Sequence, residues 1–417
     1  MKHDIWIVTI GEPIFHPENK LRKHRSGLLA KFITENKNCN VTWWTSTFNH
    51  FTKKHEYEKD TEVQINENFK MVAIKGTGYS KNVSLSRLKD NQIIKKKMKR
   101  MFEIYKPPSI IISSFPTMGL CELSLSYGKN KNIPVLIDYR DMWPEVYVDL
   151  FPRLLKKVAK ILFYPLFYKA NKIFKNAKGI IGITSQFLDE GLKKANRQKT
   201  NSDNVFPLVY KQTNHNSENI KNAEDFWSNQ IDLFDKKKLR VCYFGAIGFQ
   251  SNWESIIDSI KMINENNLNV EFIICGTGDK LDELKNKSKN LNGIYFPGFI
   301  NSAQIEVLMN HSDLGLCAYY PKQNYLESIP GKAVEYMYGG LKIISTLEEG
   351  KLGKFINDNN LGYHYNHDNS NELFSVIKKA IKDKKNEKNR IKIIFKNNFD
   401  SNLIFEKYYN HILDVIK

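Results

Sequence analysis

Short apolar runs of strand length alternate along the chain with longer stretches of helical period. Ile5 to Ile10 precedes a helical stretch from Leu21 to Glu35, and Val41 to Thr45 follows it. The alternation continues through Met71 to Ile74, a basic helical stretch from Leu85 to Ile104, Ser109 to Ile112, a helix from Met118, Pro134 to Ile137, and Gly179 to Ile183. Brief β-branched runs separated by periodic polar segments read as strands joined by helical crossovers. That grammar predicts a mainly parallel sheet covered on both faces.

The pattern lapses between Lys211 and Lys238 into a polar stretch rich in Asn, Lys, Ser and Asp, then resumes. Leu239 to Phe244, Val270 to Cys275, Gly293 to Phe296, Leu314 to Ala318 and Leu341 to Ser345 read as strands, with helices near Trp253, Leu281, Ala303 and Lys332. The prediction is an α/β protein of two doubly wound domains in tandem: an N-terminal domain over 1–210, a connection over 211–238 and a second domain over 239–399. A last helix within 400–417, from Leu403 to Ile416, is able to pack on the N-terminal domain. Ligands of such sheets bind at the carboxyl ends of the strands.

A length of 417 residues is more than one core usually supports, and 41% hydrophobic with 26% charged residues is the balance of a folded protein. The net charge of +18 favours polyanions, anionic lipid surfaces or phosphorylated small molecules. The five cysteines, Cys39, Cys121, Cys242, Cys275 and Cys317, are scattered and read as buried thiols, which suits a reducing cytoplasm. Neither a signal peptide nor an apolar run long enough to span a bilayer is read, so membrane association is expected to be peripheral.

The most informative segment is Asn324-Tyr325-Leu326-Glu327-Ser328-Ile329-Pro330-Gly331-Lys332-Ala333-Val334-Glu335-Tyr336-Met337, followed by Tyr338-Gly339-Gly340 and an apolar run. Pro330 and Gly331 suit a helix start, which puts Glu327 on the loop and Glu335 about one turn inside. The helix start offers backbone N–H groups and the positive end of its dipole to a phosphate, and Lys332 adds a charge. A sugar diphosphate held there meets one carboxylate on each side. The structural alternative is an ordinary amphipathic helix with surface acids.

This segment resembles the Glu-x7-Glu signature of family 4 glycosyltransferases, the retaining enzymes with two facing Rossmann-like domains of the glycosyltransferase B type. In that family the first acid, here Glu327, contacts the donor sugar, and the second, here Glu335, holds the ribose hydroxyls of the nucleotide. Ser328 and Gly331 lie between them on the donor side. Val241 to Gly248 resembles the first strand and glycine turn of the donor domain, Phe272 to Asp279 with Gly276 and Gly278 the next turn, and Tyr295 to Phe299 the strand end that meets the base. Gly11-Glu12-Pro13 stands in place of the family's N-terminal glycine-rich loop, and Arg25 to Ala30 in place of its first helix, so Gly11 is expected near the donor and Glu12 and Arg25 on the acceptor side. Val41 to Phe48 and Ile137 to Glu145 are similar to a bacterial branch that makes O-antigen and capsule, fucosamine transferases included; Arg140 and Asp141 fall where relatives place a histidine and an aspartate near the reacting carbon. A structural ion pair at a strand end is the competing reading for these two.

The resemblance implies a retaining transfer from a nucleotide sugar, UDP-linked by family precedent, to a polyprenyl-diphosphate-linked saccharide, with no further cofactor. The chain departs from the pattern after the glycine turn, where Phe249-Gln250-Ser251-Asn252 replaces the arginine and lysine that many members set against the diphosphate. No Asp-x-Asp for a divalent metal occurs, and the histidines show no ligand spacing. Leu154 to Tyr168 mixes lysines with leucines and aromatics as interfacial helices do, and Lys95 to Arg100 adds charge, which together suit an anionic inner-membrane surface. A core helix with solvated lysines is the plainer reading.

Competing functions are a UDP-sugar 2-epimerase on the same fold and, remotely, a basic nucleic-acid-binding protein, although no recognition motif accompanies the dispersed charge. A dinucleotide dehydrogenase is set aside because Gly276-Thr277-Gly278 lacks the third glycine of the Gly-x-Gly-x-x-Gly fingerprint.

Overall fold

The computed structural model describes residues 2–16, 23–50, 52–81, 84–148, 151–211, 215–233, 235, 237–383 and 387–417, with Arg153 described in its backbone alone. The chain forms two units, Met1–Pro207 with Asn402–Lys417, and Leu208–Ser401.

The strands of the first unit are β1 (His3–Val8), β2 (Cys39–Ser46), β3 (Phe48–Asn49), β4 (Lys54–His55), β5 (Thr61–Asn66), β6 (Phe69–Ile74), β7 (Ile110–Phe115), β8 (Val135–Tyr139), β9 (Gly179–Gly182) and β10 (Asn204–Val205). The main sheet runs β10-β9-β8-β7-β1-β2-β6-β5, and β3 and β4 form a separate hairpin. Every pair in the main sheet is parallel except β5 with β6. All six residues of β7 are buried, as a strand covered on both faces requires. On one face Trp6 packs on Trp44, Phe102 and Tyr127 at ring separations of 5.0, 4.7 and 5.4 Å.

The second unit contains β11 (Leu239–Phe244), β12 (Val270–Cys275), β13 (Ile294–Gly298), β14 (Leu314–Cys317), β15 (Lys342–Ser345) and β16 (Gly362–His364). They form a parallel sheet in the order β13-β12-β11-β14-β15-β16. Counted within the unit this is the 3-2-1-4-5-6 Rossmann order, and its direction reverses between β11 and β14. The crevice at that reversal is where such sheets bind ligands.

Buried charge closes the opposite end. Arg240, at the start of β11, pairs with Glu271 of β12 at 2.8 Å and donates to the carbonyls of Asp232, Leu233, Asp235 and His311. Lys238 joins the same carboxylate at 2.8 Å.

Two expectations from the sequence change, and the packing of the last helix is as expected. The stretch 211–238 is not a bare connection: it holds the helix Ser217–Ser228 within the second unit, capped by Asn216 accepting from the Asn219 N–H at 2.8 Å. Its polar composition hides an apolar stripe of Ile220, Ala223 and Trp227, and the buried Trp227 donates its Nε1–H to the Gln304 carbonyl at 3.0 Å. The last helix, Ser401–Ile416, belongs with the first unit, where Tyr408 stacks on Phe206 at 4.4 Å and Lys37 pairs with Glu406 at 2.7 Å. The first helix is Arg25–Asn36; Leu21 lies outside the described residues. The antiparallel edge strand β5 and the hairpin of β3 and β4 were not anticipated, because short, half-polar strands leave little apolar signal.

Candidate active site

In the second unit three loops meet at the strand-order reversal. The turn after β11 carries Gly245 at φ 141° and the turn after β12 carries Gly276 at φ 131°. A Cβ on Gly276 would lie 1.9 Å from the Gly245 carbonyl oxygen, and one on Gly278 would lie 2.2 Å from that of Ile247. Gly245 N–H donates to the Cys275 carbonyl and Ile247 N–H to that of Thr277, at 3.0 and 2.9 Å. Close packing of one turn on the other is therefore the physical reason for glycine at 276 and 278.

The third loop leads from β14 to the helix Gly331–Gly339. Pro330 is its N-cap and has no side-chain oxygen to close the helix start, while a Cβ on Gly331 would have no atom within 4 Å. The helix start is thus open backbone carrying the positive end of the dipole. Lys332 is half-buried there, its Nζ 3.3 Å from the centroid of the Tyr243 ring and 5.5 Å from that of Tyr319. Desolvation lowers this ammonium to about 7, with Glu335 among the groups that pull it part of the way back.

Glu335 is buried one turn into the helix, and Glu327 is half-buried as the C-cap of the short helix Gln323–Leu326. Along the chain they flank the helix start. The Ser328 hydroxyl donates to the Asn324 carbonyl at 2.8 Å, shaping this loop. Gly248 accepts the Trp253 Nε1–H on its carbonyl at 2.9 Å, and Phe299, just past β13, is 65% exposed and offers an aromatic face. Phe249 is also exposed, with Lys280 Nζ 4.7 Å from its ring centroid.

Two residues missed from sequence position the helix. Tyr336 hydrogen-bonds the carbonyls of Cys242 and Leu316, tying the helix to β11 and β14. Gly315, inside β14, makes room for it, since a Cβ there would lie 2.2 Å from the Tyr336 ring. A glycine inside an apolar strand was the available signal for such a close approach.

The first unit gathers Glu12, Arg25, Asp138 and Arg140 into one buried network at the carboxyl edge of its sheet. Glu12 accepts from the backbone N–H groups of Ser26 and Gly27 at 3.0 and 3.4 Å and pairs with Arg140, so its carboxylate sits on the start of the first helix. Arg140 also donates to Asp138 at 2.7 Å and to the Ser26 hydroxyl at 2.9 Å. Arg25, 4% exposed, donates to Asp138 at 3.0 Å and to the Pro207 carbonyl at 2.8 Å. Burial pushes the Asp138 carboxyl up, but Arg140 and Arg25 outweigh it and hold it below the usual carboxylate range. Glu12 and Arg25 are thus engaged inside the unit rather than presented at its surface. Asp141 keeps an exposed side chain, although protein crowds it closely enough for desolvation to raise its carboxyl against Arg140 and Arg87. Gly11 has φ 88° and open space where a Cβ would stand. Among the described residues no group of three His, Cys, Asp or Glu side chains is placed to hold a metal ion, and no helix is long and apolar enough to cross a membrane. The five cysteines are buried and unbridged.

Two units of α/β structure with parallel sheets, the second in Rossmann order with an open helix start at its reversal, define the glycosyltransferase B-type fold. Solved structures share it: sucrose-phosphate synthase of Thermosynechococcus elongatus has a TM-score of 0.70 at 13% identity, covering 99% of each chain. Anabaena HepE in complex with UDP has a TM-score of 0.63 at 15% identity, covering 99% of this chain and 100% of that one. Residues 225–396, most of the second unit, match the family Glycosyl transferases group 1. A 2-deoxystreptamine N-acetyl-D-glucosaminyltransferase of Niallia circulans is 26% identical over 129 residues, which is 30% of this chain and 31% of that relative.

Proposed function

We propose that this chain is a retaining, metal-independent glycosyltransferase of the family 4 type. It moves a hexose or N-acetylamino sugar from a nucleotide sugar, UDP-linked, to a polyprenyl-diphosphate-linked saccharide in the building of O-antigen or capsule, working in the cytoplasm at the inner face of the membrane. The observation that carries the donor half is the open helix start at the reversal of the second sheet, with Lys332 held over Tyr243 beside it. The group 1 match over this unit, and neighbours of the same fold crystallised with UDP or UDP-glucose, support the same reading.

In this reading the diphosphate lies on the N–H groups at Gly331 and Lys332, Glu335 accepts from the ribose hydroxyls and Glu327 from the donor sugar. Phe299 flanks the base. As the glycosidic bond breaks, negative charge grows on the leaving diphosphate. The dipole and the Lys332 ammonium stabilise it where it develops, which is how a preorganised site lowers a barrier. The departing phosphate oxygen takes the proton of the acceptor hydroxyl, so the chain needs no separate base. Asp141 is the first unit's candidate for contact with the acceptor, and Arg140, tied to Asp138 and Glu12, is its positioning residue.

Calorimetric titration of UDP, GDP and their sugars tests the donor site, using wild type and Glu335→Ala. One nucleotide is expected to bind wild type and to be lost in the variant at an unchanged thermal midpoint. Absence of any nucleotide binding by folded protein would overturn the assignment. Acceptor-independent inversion at C2 of the sugar nucleotide would assign the site to an epimerase instead.

A further inference from the structure

A second cluster in the first unit lies outside the buried network of Glu12, Arg25, Asp138 and Arg140. The hairpin of β3 and β4, the loop around Tyr79, the first turn of the helix Leu85–Phe102 and the segment after β8 bring His50, Lys53, Tyr79, Arg87 and Trp143 together. The His50 Nδ1 and the Tyr79 hydroxyl are 2.7 Å apart. Lys53 Nζ stands 5.0 Å from the Tyr79 ring centroid, and the Arg87 guanidinium stands 5.5 Å from the same ring and 5.6 Å from that of Trp143. Two like charges are thus held over one aromatic ring. His50 feels both: desolvation, then Lys53 and Arg87, push its imidazole down to about 4. Among the described residues, Asp90, which is buried and accepts the Gly78 N–H at 2.8 Å, and Asp141 are acids that feel Arg87. Concentrated positive charge beside half-buried aromatic faces is chemistry for a phosphate carried on an organic body.

The cluster continues into an apolar surface. Trp143 meets Tyr147 edge-on at 4.7 Å, and Tyr147 stacks on Phe163 at 5.4 Å. Phe163 joins the helices Lys156–Leu162 and Tyr164–Asn176, and around it Leu154 is 92% and Ile161 76% exposed, with Val158, Leu162, Tyr164 and Tyr168 exposed as well. Lys157 and Lys160 lie exposed among them. Apolar side chains facing water beside lysines match an anionic bilayer in both polarity and charge.

We propose that Arg87 and Lys53 hold the phosphate of a lipid-linked acceptor, and that Leu154 to Tyr168 seats in the anionic leaflet from which this lipid is drawn. The assignment rests on the reading that the acceptor is lipid-linked, and it names the groups that select it: a polyprenyl phosphate presents its charged head and apolar tail to adjoining surfaces of the same unit.

Vesicle co-sedimentation tests it with three compositions: phosphatidylcholine alone, phosphatidylcholine with phosphatidylglycerol, and phosphatidylcholine with polyprenyl monophosphate. The variants are Arg87→Gln/Lys53→Asn, asparagine being chosen because Lys53 has φ 59°, and Val158→Glu/Ile161→Glu. Wild type is expected to bind both anionic compositions. Val158→Glu/Ile161→Glu loses both by about tenfold or more, whereas Arg87→Gln/Lys53→Asn keeps phosphatidylglycerol binding and loses about tenfold toward polyprenyl phosphate. UDP titration of all three proteins separates failure here from failure of the donor site. The proposal is overturned if Val158→Glu/Ile161→Glu binds vesicles as wild type does, or if Arg87→Gln/Lys53→Asn keeps its polyprenyl phosphate affinity. Inorganic phosphate binding Arg87 and Lys53 as tightly without vesicles would overturn the lipid source. A dimer abolished by Val158→Glu/Ile161→Glu, with no vesicle binding by wild type, would make the apolar surface an interface between copies.

Discussion

The Lys332 ammonium lies 3.3 Å from the centroid of the Tyr243 ring, which ties the start of the helix Gly331–Gly339 to the end of β11. Sequence places these residues 89 positions apart (332 − 243), and only the reversal of strand order between β11 and β14 brings them together. An aromatic face supports a cation without neutralising it, so the charge stays available to an anion.

Because burial lowers Lys332 to about 7, a large share of this site is uncharged just above neutrality. On the proposed donor reading, binding of a diphosphate restores the charge, and Lys332 takes up a proton. Calorimetry of UDP at pH 8 in two buffers of different ionisation enthalpy should therefore report proton uptake in wild type and none in Lys332→Met, with affinity falling as pH rises above 7. The sign for folding is opposite to that of a lysine whose pKa an ion pair raises. Between about 7 and 10.5 the unfolded chain holds this proton and the folded chain does not, so the contribution of Lys332 to stability rises with pH across that window and is most unfavourable below it.

Gly315→Ala should separate the helix from the sheet. A Cβ 2.2 Å from the Tyr336 ring has no room, and overpacking of this kind costs about 1–3 kcal/mol. Urea denaturation should show that loss, and UDP affinity should fall with it because the helix start moves. An unchanged denaturation midpoint would show that Tyr336 does not fix the helix.

Arg240→Met should be among the more damaging single changes in the second unit. It leaves Glu271 buried beside Lys238 and releases the carbonyls of Asp232, Leu233 and Asp235, a loss on the order of 3–5 kcal/mol. Arg240→Met/Glu271→Leu should recover much of it, which denaturant titration of both variants would reveal.

Arg140→Ala should make the first unit sensitive to acid. Asp138 is held below its ordinary 3.8 by Arg140 and Arg25 against its burial. Its stabilising contribution is present above 3.8 and disappears as pH falls through the depressed value. With Arg140 gone, a principal opponent of burial is lost while Arg25 remains, and the acid unfolding midpoint, followed by circular dichroism, should move to higher pH.

Much of the local structure was legible along the chain. The runs Leu239 to Phe244 and Val270 to Cys275 coincide with β11 and β12, and Pro330-Gly331 marks the start of the helix that carries Lys332 and Glu335. Strand length, apolar run and helix start are properties of neighbouring residues. The helix Ser217–Ser228 was lost in a polar stretch because its apolar stripe gains meaning only from the surface that buries Trp227.

The chain by itself determined the α/β alternation, the excess of positive charge and the two acids flanking a helix start, since each follows from composition or from spacing within a few turns. Tertiary structure decided the order of the strands, and with it which loops meet. It seated Lys332 over Tyr243, engaged Glu12 and Arg25 in a buried network and set Arg87 beside Trp143. Those outcomes depend on pairing between segments far apart in sequence, where the energy of burying a ring or a charge is set by partners that no local pattern names.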